Sequence, residues 1–470
     1  MKSILTLIAM IPLLGSGLLS HAQEAAKPSA PPVRATGLDS KKPTPLPLPK
    51  EGLDLQRCYE LSLLRSESIG MSEQDIKVAQ ARYWQTVASV LPSFHAIGTE
   101  NLNSKNYYQS GGSFGGAGGE SFSRNSQTRT DSFDSKLNMK MPLFSGLRDL
   151  NIARAYKAQV EGNKQTYRRI LQTLYLNVAE SFCQLLVYER DMALLHEIQK
   201  TLADRVEDLE KRVRLGKSKQ SELLKARTDL AQSKITIENT RGLIAASREL
   251  LSFYTGVPSE QLKIRNDLEG LPRIEQQLDY LGQVAERPDI LAAIEAERAA
   301  RAQLSAAKAD HWPTIKLEAN YELLEYPKRG DREWNAFVTI DVPIFEWGRI
   351  EAKVNENKAL FIKSQLDLSE LKRTATREVR TTFAQFNSSV AELARAREAA
   401  ETALANYKAQ VADYELGVVN NLDVLNALNQ LYDIRRNLVS AEIDTHLNLI
   451  KLHVAAGEFN PVPPAKAPRP

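Results

Sequence analysis

Few residues in this 470-residue chain have the type and spacing to carry covalent chemistry. Gly111-Gly-Ser-Phe-Gly115 matches G-x-S-x-G, the turn that presents a nucleophilic serine in many hydrolases. That turn needs a strand before it and a helix after it. Ser113 instead lies in a Gly/Ser-rich stretch that reads as a surface loop, so no enzyme is expected. The six histidines form no H-E-x-x-H, and no Cys or His spacing suggests zinc, so neither metal nor cofactor is expected. Cys58 and Cys183 lie far apart in helical patterns, and two buried thiols are preferred over a disulfide. Charge concentrates in Lys211, Arg212, Arg214, Lys217 and Lys219, a run whose ordinary reading is a solvated helix tip. With 61 basic against 58 acidic residues there is no footprint of nucleic-acid binding.

The elements around these residues begin with an export signal over 1–22: Lys2, the apolar run Ile4 to Leu19, then Ser20 and Ala22 before Gln23. No cysteine follows it, so an unlipidated N-terminus is expected. Lys27 to Lys50 holds seven prolines, which makes 23–51 an extended segment, and 461–470 repeats that composition. After the signal no window approaches the roughly 18–20 uncharged apolar residues of a spanning helix, so any membrane crossing falls to strands.

Between the tails the chain restates itself. Pro142, Phe144, Leu215, Gly216, Leu224, Ala226, Leu230 and Gly256 recur 201 positions later as Pro343, Phe345, Leu416, Gly417, Leu425, Ala427, Leu431 and Gly457. Ile69 and Pro92 recur 221 positions later as Ile290 and Pro313, so the difference lies in the loop around Gly111 to Gly119. The repeats span 52–256 and 278–460, joined by a linker at 257–277.

Each half reads as helix, two strands, very long helix, tight turn and helix. Ile315, Leu317, Ala319, Tyr321 and Leu323 alternate with Lys316, Glu318, Asn320 and Glu322, the period of a strand with one apolar face. Strands are expected at about 94–103, 131–143, 314–324 and 333–343. Leu223, Leu230, Ile237, Ile244 and Leu251 repeat every seven residues, as do Val424, Leu431, Leu438 and Leu452 with Thr445 interrupting, which predicts coiled-coil packing. Helix tips fall at about 215–219 and 416–421. Four strands cannot close a barrel in lipid, where about eight or more are needed, so the chain must oligomerise.

The duplicated corner Met-Pro-Leu-Phe-Ser-Gly at 141–146 and Val-Pro-Ile-Phe-Glu-Trp-Gly at 342–348 resembles that of the TolC-type outer-membrane efflux proteins. So do the tips, Val213-Arg-Leu-Gly216 with Glu222-Leu-Leu and Tyr414-Glu-Leu-Gly417 with Leu422-Asp-Val-Leu425, and the likeness covers roughly 54–460. The resemblance implies a mostly α fold with a small β part: long helices forming a periplasmic α-barrel, and four strands per chain contributing to a trimeric, twelve-stranded outer-membrane β-barrel. It further implies a homotrimer set in outer-membrane lipid and reaching into the periplasm. Such a trimer serves as the exit duct of a tripartite pump or type I secretion system, with a periplasmic adaptor and an inner-membrane transporter as partners.

By the same resemblance Asp423 occupies the place of an acidic ring at the periplasmic entrance, while Asn426 stands where a second acid is usual. Tyr414 matches a tyrosine that latches the neighbouring hairpin, with Glu222 as acceptor, or else fills a coiled-coil seam. Val419 replaces a basic gate residue. Leu215, Gly216, Lys217, Lys219, Leu416, Gly417, Leu422 and Leu425 form the tips expected to dock an adaptor. The competing reading is a soluble periplasmic coiled-coil scaffold or adaptor.

Overall fold

The computed structural model describes residues 52–101, 132–266, 277–326 and 333–458. The expected export signal, the Pro-rich segment 23–51, the loop with Ser113 and the tail 461–470 lie outside the described residues. Helices α1 (Leu55–Arg65) and α2 (Glu67–Ala88) lead into strands β1 (Ser93–Asn101) and β2 (Ser132–Phe144), then α3 (Arg148–Arg214) and α4 (Gln220–Thr255). The order recurs as α5 (Gln277–Gln283), a 3-10 turn at Val284–Glu286, α6 (Pro288–Ala309), β3 (Thr314–Tyr326), β4 (Trp334–Asp341), α7 (Arg349–Glu415) and α8 (Asn421–Ala456). Helices α3 and α7 each run 67 residues without a break. At about 1.5 Å per residue each is on the order of 100 Å long.

The helix leading into each strand pair, expected to be continuous over 54–91 and 275–311, is interrupted at Ser66 and Arg287, both extended with ψ 115° and 135°. Pro288 explains the second break, because a proline pushes the residue before it out of the helical region and suits the first helical position itself. Serine at the first break competes for backbone hydrogen bonds, and Ser66 Oγ instead pairs with Ser68 Oγ at 2.8 Å.

The four strands form one antiparallel sheet in the order β1-β2-β3-β4. Its polar face carries an amide ladder: Asn138 Nδ2 donates to Asn320 Oδ1 at 2.7 Å, and Asn320 Nδ2 to Asn335 Oδ1 at 2.9 Å. Asn138 and Asn320 are buried, whereas Leu137, Tyr321, Leu323, Val338 and Ile340 on the opposite face are exposed. The sheet is therefore inside out by the standards of a water-soluble protein. Phe337, a large apolar residue on the polar face, stands opposite Glu318 in the register.

Each strand pair passes into its long helix through two successive left-handed residues. They are Gly146 and Leu147 (φ 62° and 67°) in one half, Trp347 and Gly348 (51° and 78°) in the other. The glycine is first in one pair and second in the other. Gly146 is forced by packing as well, since a Cβ there would lie 2.7 Å from Ala309 O and from Trp312 Cβ.

Below the sheet the helices pack through the expected heptads. Leu223, Ile237, Ile244 and Leu251 are buried, as are Val424, Leu431 and Leu452. Thr445 is fully buried too, its hydroxyl donating to Ala441 O at 2.6 Å. A core at mid-length joins Cys58 and Tyr59 of α1, Leu171, Val178, Phe182 and Leu185 of α3, and Ile244 and Leu251 of α4. This core corrects the expectation about apolar windows. An 18-residue stretch of α3 reaches mean hydropathy 1.2, enough by length and composition to cross a membrane, but 56% of it is buried inside the protein. Cys58 and Cys183 are free and buried in the same core.

Candidate functional site

The turns joining α3 to α4 and α7 to α8 end the molecule opposite the sheet. Gly216 and Gly417 sit at φ 70° and 77°. Gly216 N donates to Val213 O and Lys217 N to Arg212 O; Gly417 N and Val418 N repeat this with Tyr414 O and Asp413 O. Both are the left-handed helix terminations that glycine makes possible. Leu215 and Leu416 project at 69% and 78% exposure. Leu422, Lys217 and Lys219 are exposed as well.

Leu425 departs from this pattern. It was expected on the docking surface, but it is fully buried with Leu209, Leu223 and Tyr432. Helix α8 lies along α3 there, and that contact turns Leu425 inward. The basic run is also partly neutralised, because Lys211 pairs with Glu207 at 2.7 Å and Arg212 with Asp208 at 3.0 Å.

Asp423 takes part in a capping box at the start of α8. Asn420 Oδ1 accepts from Leu422 N and Asp423 N at 2.8 and 3.2 Å, and Asp423 Oδ2 accepts from Asn420 N at 3.3 Å. Asn426, one turn on, is exposed, and Val419 is half-buried in the turn. Tyr414 is buried under two guanidinium groups, Arg205 at 4.5 Å and Arg212 at 4.8 Å from its ring centre. Glu222 is engaged elsewhere, accepting from Ser218 Oγ at 2.6 Å. Within one chain, then, Tyr414 is held by arginines and not by Glu222.

Sequence reasoning gave no sign of the buried polar groups left unpaired at this tip. Asn421 is fully buried with both amide atoms unpaired, and Arg205 Nη2 and Gln410 Oε1, close to the same tip, are buried without hydrogen-bond partners. The arginines over Tyr414 lie some two hundred residues away in the chain, so no local pattern announces them.

A second charged constellation, also unannounced, ties the two halves together at mid-length. Arg287 is only 2% exposed. It donates from Nη2 to Asp289 Oδ2 at 2.7 Å and from Nη1 to Glu378 Oε2 at 3.0 Å and Ala455 O at 2.7 Å. Arg169 of α3 approaches the same group, 3.9 Å from Asp289 and 4.0 Å from Glu378, and donates to Val454 O. Burial works against the charge of Arg287, but the bonds and charges of Asp289 and Glu378 hold its pKa above the ordinary guanidinium value. Burial likewise opposes the Asp289 carboxylate, which Arg287 and then Arg169 hold below the usual carboxylate range. Among the described residues no group of His, Cys, Asp and Glu could hold a metal ion.

A sheet with an amide ladder on one face and a bare apolar surface on the other, standing on helices on the order of 100 Å long, defines an outer-membrane channel protomer with a periplasmic extension. The chain belongs to the outer membrane efflux protein family, whose sequence model matches residues 58–257 and 283–458. It is 25% identical over 410 residues to the cation efflux system protein CusC of Escherichia coli K12, covering 84% of each chain. It is 22% identical over 345 residues to the outer membrane protein TolC of Vibrio cholerae, covering 70% of this chain and 78% of that one. Among solved structures, CusC superposes with a TM-score of 0.74 at 21% identity, over 87% of this chain and 93% of the other. VceC of Vibrio cholerae gives 0.75 at 18% identity, over 86% and 96%. The protein resides in the outer membrane and extends into the periplasm.

Proposed function

We propose that three copies of this chain form the passive exit duct of a tripartite efflux pump or type I secretion system. The duct carries small molecules or proteins from a periplasmic adaptor and inner-membrane transporter to the exterior, with no catalytic step of its own. The observation that carries this reading is the inside-out sheet with two open edges, β1 and β4. Unpaired edge groups are costly in lipid, and three four-stranded sheets supply enough strands for a closed barrel with a lumen.

The tips form the entrance, closed by Tyr414 and the half-buried Val419 and lined by Asp423. Three Asp423 carboxylates around one axis favour cations, and Asn426 leaves that ring at half the charge of two acidic layers. Exposed Leu215, Gly216, Lys217, Lys219, Leu416, Gly417 and Leu422 face the adaptor.

Single-channel conductance of the detergent-extracted protein in planar bilayers tests this. Asp423→Asn keeps an acceptor for Asn420 N and removes only the charge, so cation preference falls while the helix start persists. Tyr414→Phe keeps the ring under both arginines and raises opening if its hydroxyl latches a neighbour. A folded preparation that forms no pore and stays soluble without detergent would favour the periplasmic scaffold instead.

A further inference from the structure

The joint at Arg287 has a counterpart in the first half that is built from the same backbone with its charges missing. By the repeat offsets Arg287, Asp289, Glu378 and Val454 correspond to Ser66, Ser68, Asn177 and Phe253. Where Arg287 fills the second half, the first half keeps a cleft of about 480 Å³ whose lining includes these four residues and, as its charged groups, Arg65, Arg169 and the exposed Glu67, two bases to one acid. The stem of Arg65 lies against Gly256 as that of Arg287 lies against Gly457. Arg65 is exposed, and among the described residues it has no carboxylate partner.

Within one chain the joint is completed by Arg169, which reaches from α3 to Asp289, Glu378 and Val454 O. The residue that corresponds to Arg169 on α7 is Glu370, which is exposed and makes no ion pair among the described residues. The sign is inverted on both sides: a base meets acids inside the chain, while an acid on α7 has a cleft with a free base as its counterpart.

We infer that this cleft is the seat for α7 of the next copy in the ring, with Glu370 of that copy entering between Ser68 and Asn177 and pairing with Arg65. The inference rests on the reading of the chain as a closed oligomer. It follows if the joint between copies repeats the geometry of the joint between halves, which places Glu370 against the cleft as Arg169 is placed against Asp289. The inverted charges then give the two joints different specificities. An α3 presented to the cleft would bring Arg169 against Arg65, and an α7 presented to the Arg287 joint would bring Glu370 against Asp289 and Glu378. Like charges disfavour both wrong pairings, so the halves alternate around the ring.

The test uses the full chain extracted in detergent. Arg65→Glu and Glu370→Arg each weaken assembly about tenfold per joint, read as the protein concentration at which the oligomer dissociates, and the double variant restores it to within about twofold. A second arm places Ser68→Cys with Glu370→Cys and applies a short bismaleimide. Cys58 and Cys183 are buried, so a ladder of linked chains reports the engineered pair. An oligomer that forms normally, with neither charge rescue nor cross-linking, overturns this inference and leaves the duct reading standing. An unmodified protein that is monomeric by mass in detergent overturns the duct reading itself.

Discussion

Helices α3 and α7 have the same length and the same place in the repeat, yet α3 buries nineteen side chains and α7 nine. The difference is one of neighbours. Among the described residues α3 packs along α1, α2, α4, α6 and α8 of its own chain, whereas α7 packs chiefly along α8 and α6, lies beside α5 and the 3-10 turn, and touches α3 at Tyr414 and Glu378. Leu425 and Leu224 show the reverse asymmetry at equivalent positions, the second-half residue fully buried and the first-half residue 53% exposed. Duplicated sequence therefore encodes the backbone twice, while burial is completed once inside the chain and once, on the proposed reading, between chains.

The largest expected effect sets Phe182 against its equivalent Phe383. Phe182 is fully buried, and Phe182→Ala costs about 4 kcal/mol in thermal unfolding of the detergent-solubilised protein. Phe383 is only partly buried against Tyr280, so Phe383→Ala costs about half as much. Equal losses would break the comparison.

Arg287→Ala follows at about 3 kcal/mol, because it leaves Asp289 and Glu378 without their buried partner, while Ser66→Ala stays within about 0.5 kcal/mol. This joint also has a pH signature. The Asp289 pKa is lowered on folding, so its contribution is present in full above the unfolded value of about 3.9 and is lost as pH falls through the depressed folded value. Asp289→Asn flattens that acid limb in an unfolding titration.

Gly146→Ala costs about 2 kcal/mol from its left-handed backbone and its contact with Ala309 O, whereas Gly348→Ala carries the backbone strain alone, about 1 kcal/mol. Smallest is the contrast between tips. Asn420→Ala removes a capping box and costs about 1 kcal/mol, while Lys219→Asn supplies α4 with a side-chain cap it lacks and gains about 0.5 kcal/mol. Both are read from thermal midpoints.

Most of the fold was legible because its signals are local. Alternation from Ile315 to Leu323 marked a strand, and Gly216 and Gly417 marked the helix ends. Pro288 carried the sign of the break at Arg287, but the long helical pattern on either side outweighed it. The surroundings of Tyr414, the amide ladder and the Arg287 joint were not legible, since each joins residues from separate helices or strands by packing that no spacing reports. Leu425 misled for the complementary reason, because its motif is shared with an exposed twin.

The buried cysteines bear on how long the protein lasts in an oxidising compartment. Burial, with a smaller contribution from nearby acids, pushes both thiols up to about 12. At neutral pH only about one in 10⁵ such groups is a thiolate, against a few per cent for a free cysteine, and the thiolate is the species that oxidants attack. The folded chain is thus slow to age through its sulfur, whereas the newly exported chain has no such shelter. Exposure of both thiols to oxidants is thus confined to the interval before the core of α1, α3 and α4 closes over them.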